Sequence, residues 1–379
     1  MCQNKKLSFS YRVALFTFAD FGKLKNLKTA ESTRIFNSLV ESGLDVDLYG
    51  RVGRGIGIPV MSRLDLIYAK ILSKLRNKSY RIILEEIYRS RVLKLVVKNK
   101  YDSVIFYPYK LCNNRIDSKI FNIGICPTMN PNFVSKKVKE LGGIEYSINN
   151  DNINLECFDL IVALSQLSAK TYVNDYSGKI IVDPLIINDS TPCNQNRNVD
   201  NPMIYTCFTS KVCVAKGVKL LIEGWKKLKN AGYIKEAKLL ITGDFNKSDF
   251  IINKELDLFK YNIDYIGFIS NKESLFEGTD YMILPSYFEG HCRATDEAIS
   301  HGVPVIVSLA AMGASTDGYN AIHIRELSVS GVFDAILESQ NSDKFKTLSN
   351  NASKSIENNK YFGYVTSLEI KRKINESNT

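Results

Sequence analysis

Ser286-Tyr-Phe-Glu-Gly-His-Cys-Arg-Ala-Thr-Asp-Glu-Ala-Ile-Ser-His-Gly-Val-Pro-Val-Ile-Val-Ser308 reads, in order, as a strand end, a glycine turn, a short helix, a glycine stop and a second apolar strand. Such alternation builds a parallel sheet covered by helices. Glu289 follows the apolar run Tyr281 to Leu284, so it stands at the C-terminal edge of the sheet. Glu297 lies beyond it, with seven residues between, in the first turns of the helix. Open α/β sheets bind ligands at that edge. A helix N-terminus there offers N–H groups and the positive end of a dipole, which suits a phosphate.

The same alternation extends in both directions. Val13–Phe18, Leu44–Tyr49, Ser103–Tyr107, Asn122–Cys126, Leu160–Ala163 and the run from Ile180 to Val182 read as strands of the first half, with a helix over Glu31–Ser42 stopped by Gly43. Ser190–Pro202 is polar and carries two prolines, as a linker would. Strands then resume at Met203–Phe208, Lys238–Thr242, Tyr265–Ile266, Tyr281–Leu284 and Val303–Val307. The expected fold class is α/β, with two doubly wound Rossmann-like domains facing a cleft. The expected divisions are residues 1–189, a linker over 190–202, a second domain over 203–350, and a closing helix and tail over 351–379, frayed after Lys373.

The 379 residues fit two domains, and 45% hydrophobic with 24% charged residues is ordinary for a globular chain. The eight cysteines are scattered without a Cys-x-x-Cys pair, which speaks against a zinc site or a disulfide framework and for free thiols in a reducing compartment. Met1-Cys-Gln-Asn-Lys-Lys6 opens without an apolar segment of the kind a signal peptide has, and no run reaches the roughly 18 apolar residues of a membrane span. A cytoplasmic location is expected.

Net charge is +10, and it is uneven. Arg63 to Lys100 holds eleven Lys or Arg against Asp65, Glu85 and Glu86. Leu64, Ile67, Ile71 and Leu75 recur at helical spacing, and Ile83, Ile87 and Val92 continue a similar pattern. Two readings stand side by side. The helices pack on the sheet with a solvated basic face, or the segment 63–100 lies peripherally on an anionic membrane surface.

The string Pro285-Ser…Glu-Gly…Glu-Ala…Gly-x-Pro-Val-Ile306 resembles the Glu-x7-Glu signature of retaining glycosyltransferases of family 4, which have the glycosyltransferase-B fold. Two further segments follow the family's order. Thr209-Ser-Lys-Val-Cys-Val-Ala-Lys-Gly217 stands where members carry Gly-Arg and then Lys-Gly, and Leu220-Leu-Ile-Glu-Gly-Trp225 matches the helix that follows. Leu239-Leu-Ile-Thr-Gly-Asp244 and Ile263-Asp-Tyr-Ile-Gly-Phe-Ile-Ser270 are strands running into glycine turns.

The resemblance implies a nucleotide-diphosphate sugar as donor and a glycan or lipid-linked acceptor. It implies no cofactor and no metal, and a setting in cell-surface polysaccharide assembly at the inner membrane face. Lys211 and Lys216 would grip the donor diphosphate, and Glu289 would face the transferred sugar. Fixed cations suit that place because charge develops on the departing diphosphate. Glu297 would bind the ribose hydroxyls, since a carboxylate accepts adjacent O–H donors. Gly290, His291, Cys292, Arg293 and Ala294 would line sugar and phosphate, and Gly267, Phe268 and Ile269 the nucleobase. On the acceptor side the positions are Gly22, Lys23 and Thr128. The chain departs from the pattern where Ser210 replaces Gly, where Lys211 replaces Arg and so lacks the planar fork, and in the absence of a first-domain histidine. The only histidines are His291, His301 and His323, and His301 reads as a helix end.

Other motifs carry less. Asp45-Val-Asp47 alternates with Leu44, Val46 and Leu48, as on a strand with one wet face, rather than forming a metal pair. Gly53-Arg-Gly-Ile-Gly57 lacks dinucleotide-fingerprint spacing and runs into Pro59. Two alternatives from other classes remain: a catalytically degenerate glycosyltransferase-like binding protein, and a basic nucleic-acid-binding protein. The charge alone raises the second, no nucleic-acid motif supports it, and no nucleic-acid partner is expected.

Overall fold

The computed structural model describes residues 11–18, 31–51, 58–112, 114–141, 154–184, 202–209, 211–234, 236–245, 258–269, 271–355 and 364–377. Seven parallel strands form the first sheet: β1 (Arg12–Thr17), β2 (Asp45–Gly50), β3 (Ile58–Pro59), β4 (Ser103–Tyr107), β5 (Phe121–Cys126), β6 (Leu160–Ala163) and β7 (Lys179–Val182). Their order in space is β3-β2-β1-β4-β5-β6-β7. Helices α1 (Glu31–Glu41), α2 (Arg63–Leu75), α3 (Tyr80–Asn99), α4 (Pro131–Glu140) and α5 (Gln166–Lys170) connect them. β4 and β6 are buried along their whole length and apolar but for Ser103, as a sheet covered on both faces requires.

The second sheet has six parallel strands in the order β12-β10-β8-β13-β14-β15. They are β8 (Ile204–Cys207), β10 (Lys238–Thr242), β12 (Ile263–Gly267), β13 (Tyr281–Leu284), β14 (Val305–Ser308) and β15 (Ala321–Ile324). A separate two-residue ribbon pairs β9 (Lys211–Val212) with β11 (Asp244–Phe245). The second sheet's helices are α6 (Val218–Asn230), α7 (Lys272–Glu277), α8 (Arg293–Ser300), α9 (Val329–Glu338) and α10 (Ser342–Ser355), and α11 (Tyr364–Ser377) follows them in the chain. The core gathers Tyr205, Trp225, Phe276 and Tyr281 with the aliphatic residues of β10, β13 and β14. Gly224 lets α6 approach α9, since a β-carbon there would sit 3.0 Å from Val332 Cγ1.

By their contacts the residues form two compact units. One comprises 1–128, 150–185 and 361–379; the other comprises 129–149 and 186–360. The segment around α4 thus belongs with the second sheet, and α11 with the first. α11 runs past Lys373 to Ser377, and Arg372 and Lys373 each pair with Glu376 in its last turn. Most of 190–202 lies outside the described residues.

Asp45 and Asp47 sit on β2 beside Arg12, which approaches them at 3.9 and 3.4 Å. Tyr101 donates its hydroxyl to Asp47 at 2.5 Å. The pair is therefore occupied by a cation and a phenol. Among the described residues no group of three or more His, Cys, Asp or Glu is placed to hold a metal ion.

Candidate active site at the switch point of the second sheet

β8 and β13 are neighbours, and the chain leaves them in opposite directions: from β8 outward to β10 and β12, from β13 to β14 and β15. Their carboxyl ends therefore flank the topological switch point, where doubly wound sheets bind ligands. Beyond β8 the chain makes the β9 ribbon and a single tight turn, Val214–Lys216, before Gly217 opens α6. Beyond β13 it runs through Pro285 to Glu289 and into α8. Tyr287 N–H donates to the Ala215 carbonyl at 2.8 Å and ties the two loops together. Gly217 has φ +66° and lies against the Pro285 carbonyl, so this position requires glycine.

These ties bring Lys216 and Glu289 together. Lys216 Nζ stands 2.5 Å from Glu289 Oε1, and Ser286 Oγ donates to the same oxygen at 2.8 Å. The side chains are 24% and 13% exposed, so the pair is sheltered yet open to a ligand. Desolvation alone would lower the Lys216 pKa; the Glu289 carboxylate, with smaller contributions from its neighbours, offsets this and the pKa is raised above the ordinary lysine value. Cys292, buried beside them, has its thiol pushed up to about 12 by burial, with the Glu289 charge adding to the effect. It is a neutral packing group at physiological pH.

α8 begins at Arg293 with Cys292 as its N-cap. The buried acid of its first turn is Asp296, whose Oδ1 accepts Ala314 N–H at 2.7 Å and whose Oδ2 lies 2.6 Å from His291 Nε2. This clamp fixes the turn from Gly290 to Ala294. Glu297 is mostly buried, and Lys272 Nζ meets its Oε1 at 2.6 Å. The same ammonium lies 5.6 Å from the centre of the Phe208 ring. His301 caps the far end of α8: its Nδ1 lies 2.7 Å from the Glu297 carbonyl oxygen and its ring packs on Phe276.

Gly267 ends β12 with φ +73° and open space around it, and its carbonyl accepts Gly243 N–H at 2.8 Å. Phe268 follows, 61% exposed, while Ile269 packs partly on the core. Lys211 opens β9 opposite Asp244, but its side chain is not among the described atoms. Gly22 and Lys23 lie outside the described residues. Thr128 offers its carbonyl to Tyr172 Oη at 2.9 Å and to Ser168 Oγ at 3.2 Å, a structural use.

So the structure joins Lys216 with Glu289, and Glu297 with the strand-end residue Phe208 through Lys272. Sequence reasoning missed Lys272, Ser286 and Asp296. It also missed α4, whose Val138 packs with Met129 against Phe288, the residue before Glu289.

Two doubly wound parallel sheets, with a cation and two carboxylates at the switch point of the second, define a two-domain α/β protein of the glycosyltransferase-B fold. Residues 204–341 match the family described as glycosyl transferases group 1. Protein CapJ of Staphylococcus aureus is 32% identical over 130 residues, 34% of this chain and 32% of CapJ, so the match spans about a third of that relative's length. Among solved structures, WaaG, a glycosyltransferase involved in lipopolysaccharide biosynthesis, superposes over 94% of this chain and 99% of its own, with a TM-score of 0.60 and 14% identity. Alr3699/HepE of Anabaena, solved with UDP and glucose, does so over 97% and 99%, with a TM-score of 0.59 and 15% identity. At such identities the likeness is one of fold.

Proposed function

We propose that this protein is a retaining glycosyltransferase of the family 4 type, moving a sugar from a nucleotide diphosphate to a glycan or lipid-linked acceptor in cell-surface polysaccharide assembly. The observation that carries the reading is the Lys216–Glu289 pair at the switch point, with Glu297 in the first turns of the adjoining helix. A donor diphosphate laid on the N-terminus of α8 meets the Lys216 ammonium and the backbone of Gly290 to Ala294. Lys211, on β9, is the second cation assigned to the phosphates. The ribose hydroxyls donate to Glu297, in place of or beside Lys272. Phe268 and its neighbours Gly267 and Ile269 take the nucleobase, and the first unit serves the acceptor.

In the transfer step the acceptor oxygen bonds to the anomeric carbon on the face from which the diphosphate leaves. The carbon–phosphate oxygen bond breaks, and the acceptor proton passes to the leaving phosphate oxygen. Lys216 stabilises the charge that develops there, and Glu289 orients the sugar. The reading assigns the charge stabilisation to Lys216, Lys211 and the helix amides rather than to a metal. The buried free thiols Cys126, Cys157, Cys207 and Cys292 suit a cytoplasmic setting.

The test is a thermal-shift panel of UDP, GDP, ADP and their sugar conjugates on wild type and Glu297→Ala, followed by NMR of the product anomer. Stabilisation by one nucleotide family, lost in the variant, together with a product of retained configuration, supports the reading. Binding without transfer would mark a degenerate binding protein, as the Ser210 and Lys211 departures would allow. No shift with any nucleotide would defeat the proposal.

A further inference from the structure

α2 and α3 carry apolar stripes that look alike in sequence and end in opposite environments. On α3, Ile83 and Val92 are buried in the core. On α2, Leu64, Ile67, Tyr68, Ile71 and Leu75 are all exposed, between 51% and 76%. At 100° per residue these five positions fall within an arc of about 100°, so they form one continuous outward face. The helix packs inward through Ala69, Leu66 and Leu72 instead. Ser62 and Asp65 close a capping box at its start, so the helix is set in place by its own terminus and by its inner side.

Charge decides what covers this face. The acids of the segment are already engaged: Asp65 by Arg91 at 2.7 Å, Glu86 by Lys78 and Arg76 at 3.0 and 3.5 Å, and Glu85 by Arg89 at 4.0 Å. Lys70 and Lys74 lie along one edge of the stripe, exposed, with no carboxylate partner among the described residues. A second copy of the chain docking here would set these lysines near their own counterparts. Nucleic acid would satisfy the lysines but leave the aliphatic stripe in water. A bilayer with anionic headgroups takes both, apolar side chains at the acyl boundary and ammonium groups among phosphates. No described helix is long and apolar enough to cross a membrane, so the contact is one of lying on the surface.

We propose that α2 is a docking helix for an anionic lipid surface, with Leu64, Ile67, Tyr68, Ile71 and Leu75 inserted and Lys70 and Lys74 on the headgroups. The inference stands on α2 alone and needs no sugar donor to be tested, so its failure leaves the transfer reading untouched.

The experiment is co-sedimentation of the full chain with vesicles of phosphatidylcholine alone and of phosphatidylcholine mixed with phosphatidylglycerol, at low and high salt. The wild type binds the anionic vesicles, more weakly in high salt. Binding falls about tenfold or more in Ile71→Ser/Leu75→Ser and in Lys70→Gln/Lys74→Gln. Tyr68→Trp gives a second reading: its emission shifts to the blue with anionic vesicles, over a constant signal from the buried Trp225. Thermal melts show whether each double variant folds; if one does not, the Tyr68→Trp shift alone decides. Three outcomes overturn the proposal: no binding of the wild type to anionic vesicles, binding unchanged in the folded Ile71→Ser/Leu75→Ser chain, or a concentration-dependent dimer lost in that variant without vesicle binding.

Discussion

A β-carbon on Gly217 would lie 1.9 Å from the carbonyl oxygen of Pro285. The turn carrying Lys216 and the strand end leading to Glu289 therefore meet backbone against backbone. Glycine is required twice over, for this approach and for its positive φ. Gly217→Ala is expected to cost roughly 3 kcal/mol or more, seen as a lower melting temperature, and to abolish stabilisation by nucleotide. An unchanged melting temperature would show that the two loops can part without harm.

Lys216→Met is expected to lower kcat/KM by about 10²- to 10³-fold, with Lys216→Arg retaining more. Because Glu289 raises the Lys216 pKa, the pair's contribution to stability is fully present below the usual lysine value of 10.5 and fades as pH rises through the raised one. The gap in melting temperature between wild type and Lys216→Met should stay level through the neutral range and close only in strong alkali. A gap that closes near neutrality would contradict the assignment.

Lys272 holds Glu297 at 2.6 Å and lies 5.6 Å from the centre of the Phe208 ring, so on the proposed reading it orients the carboxylate that would meet the ribose. Lys272→Ala should weaken nucleotide binding about fivefold, on the order of 1 kcal/mol, by calorimetric titration. Lys272→Arg should recover most of it. Equal affinities in all three proteins would leave the pair without a part in binding.

Glu369 on α11 accepts from Lys179 on β7 at 2.7 Å, and this bond, with help from Arg372 and against desolvation, holds its carboxyl below the usual 4.5. A lowered carboxylate pKa contributes stability above 4.5 and loses it as pH falls through the lowered value. Glu369→Gln should therefore cost up to about 1 kcal/mol at neutral pH and nothing in strong acid. Denaturant melts at both pH values read the difference.

Burial pushes the thiols of Cys207 and Cys292 up to about 12. Neither should react with a maleimide in mildly alkaline buffer until the chain unfolds. Mass spectrometry of the labelled native protein tests this, and rapid modification of Cys292 would mean that the site opens far more than its geometry implies.

The strands that sequence located without error, such as Ser103–Tyr107, Leu160–Ala163, Lys238–Thr242 and Tyr281–Leu284, lie inside sheets covered on both faces. Burial there demands a nearly continuous apolar run, such as Val104–Tyr107 or Leu239–Ile241, and the run is its own signal. β3, β9 and β11 have two residues each, too short for any period to show. β15 buries Ala321, Ile322 and Ile324 in the core, but His323 interrupts its short apolar run. At the candidate site, family spacing picks out Glu289, Glu297 and Lys216 along the chain, and the structure pairs Lys216 with Glu289. Lys272 was not, since its partner Glu297 is 25 residues away. The apolar stripe of α2 was visible as a period, but period does not say which side of a helix the rest of the molecule covers.

α11 returns to the unit that holds the start of the chain. Thr366 donates its N–H and its hydroxyl to the buried Asp183 at 2.8 and 2.6 Å. Lys371 reaches the Ser42 carbonyl at 2.6 Å, and Ile370 and Ile374 fill the core beside Val13, Leu15 and Leu39. During synthesis the second unit has every part it needs by the time α10 emerges. The first unit must wait for α11. The half that is made first is the half that is finished last.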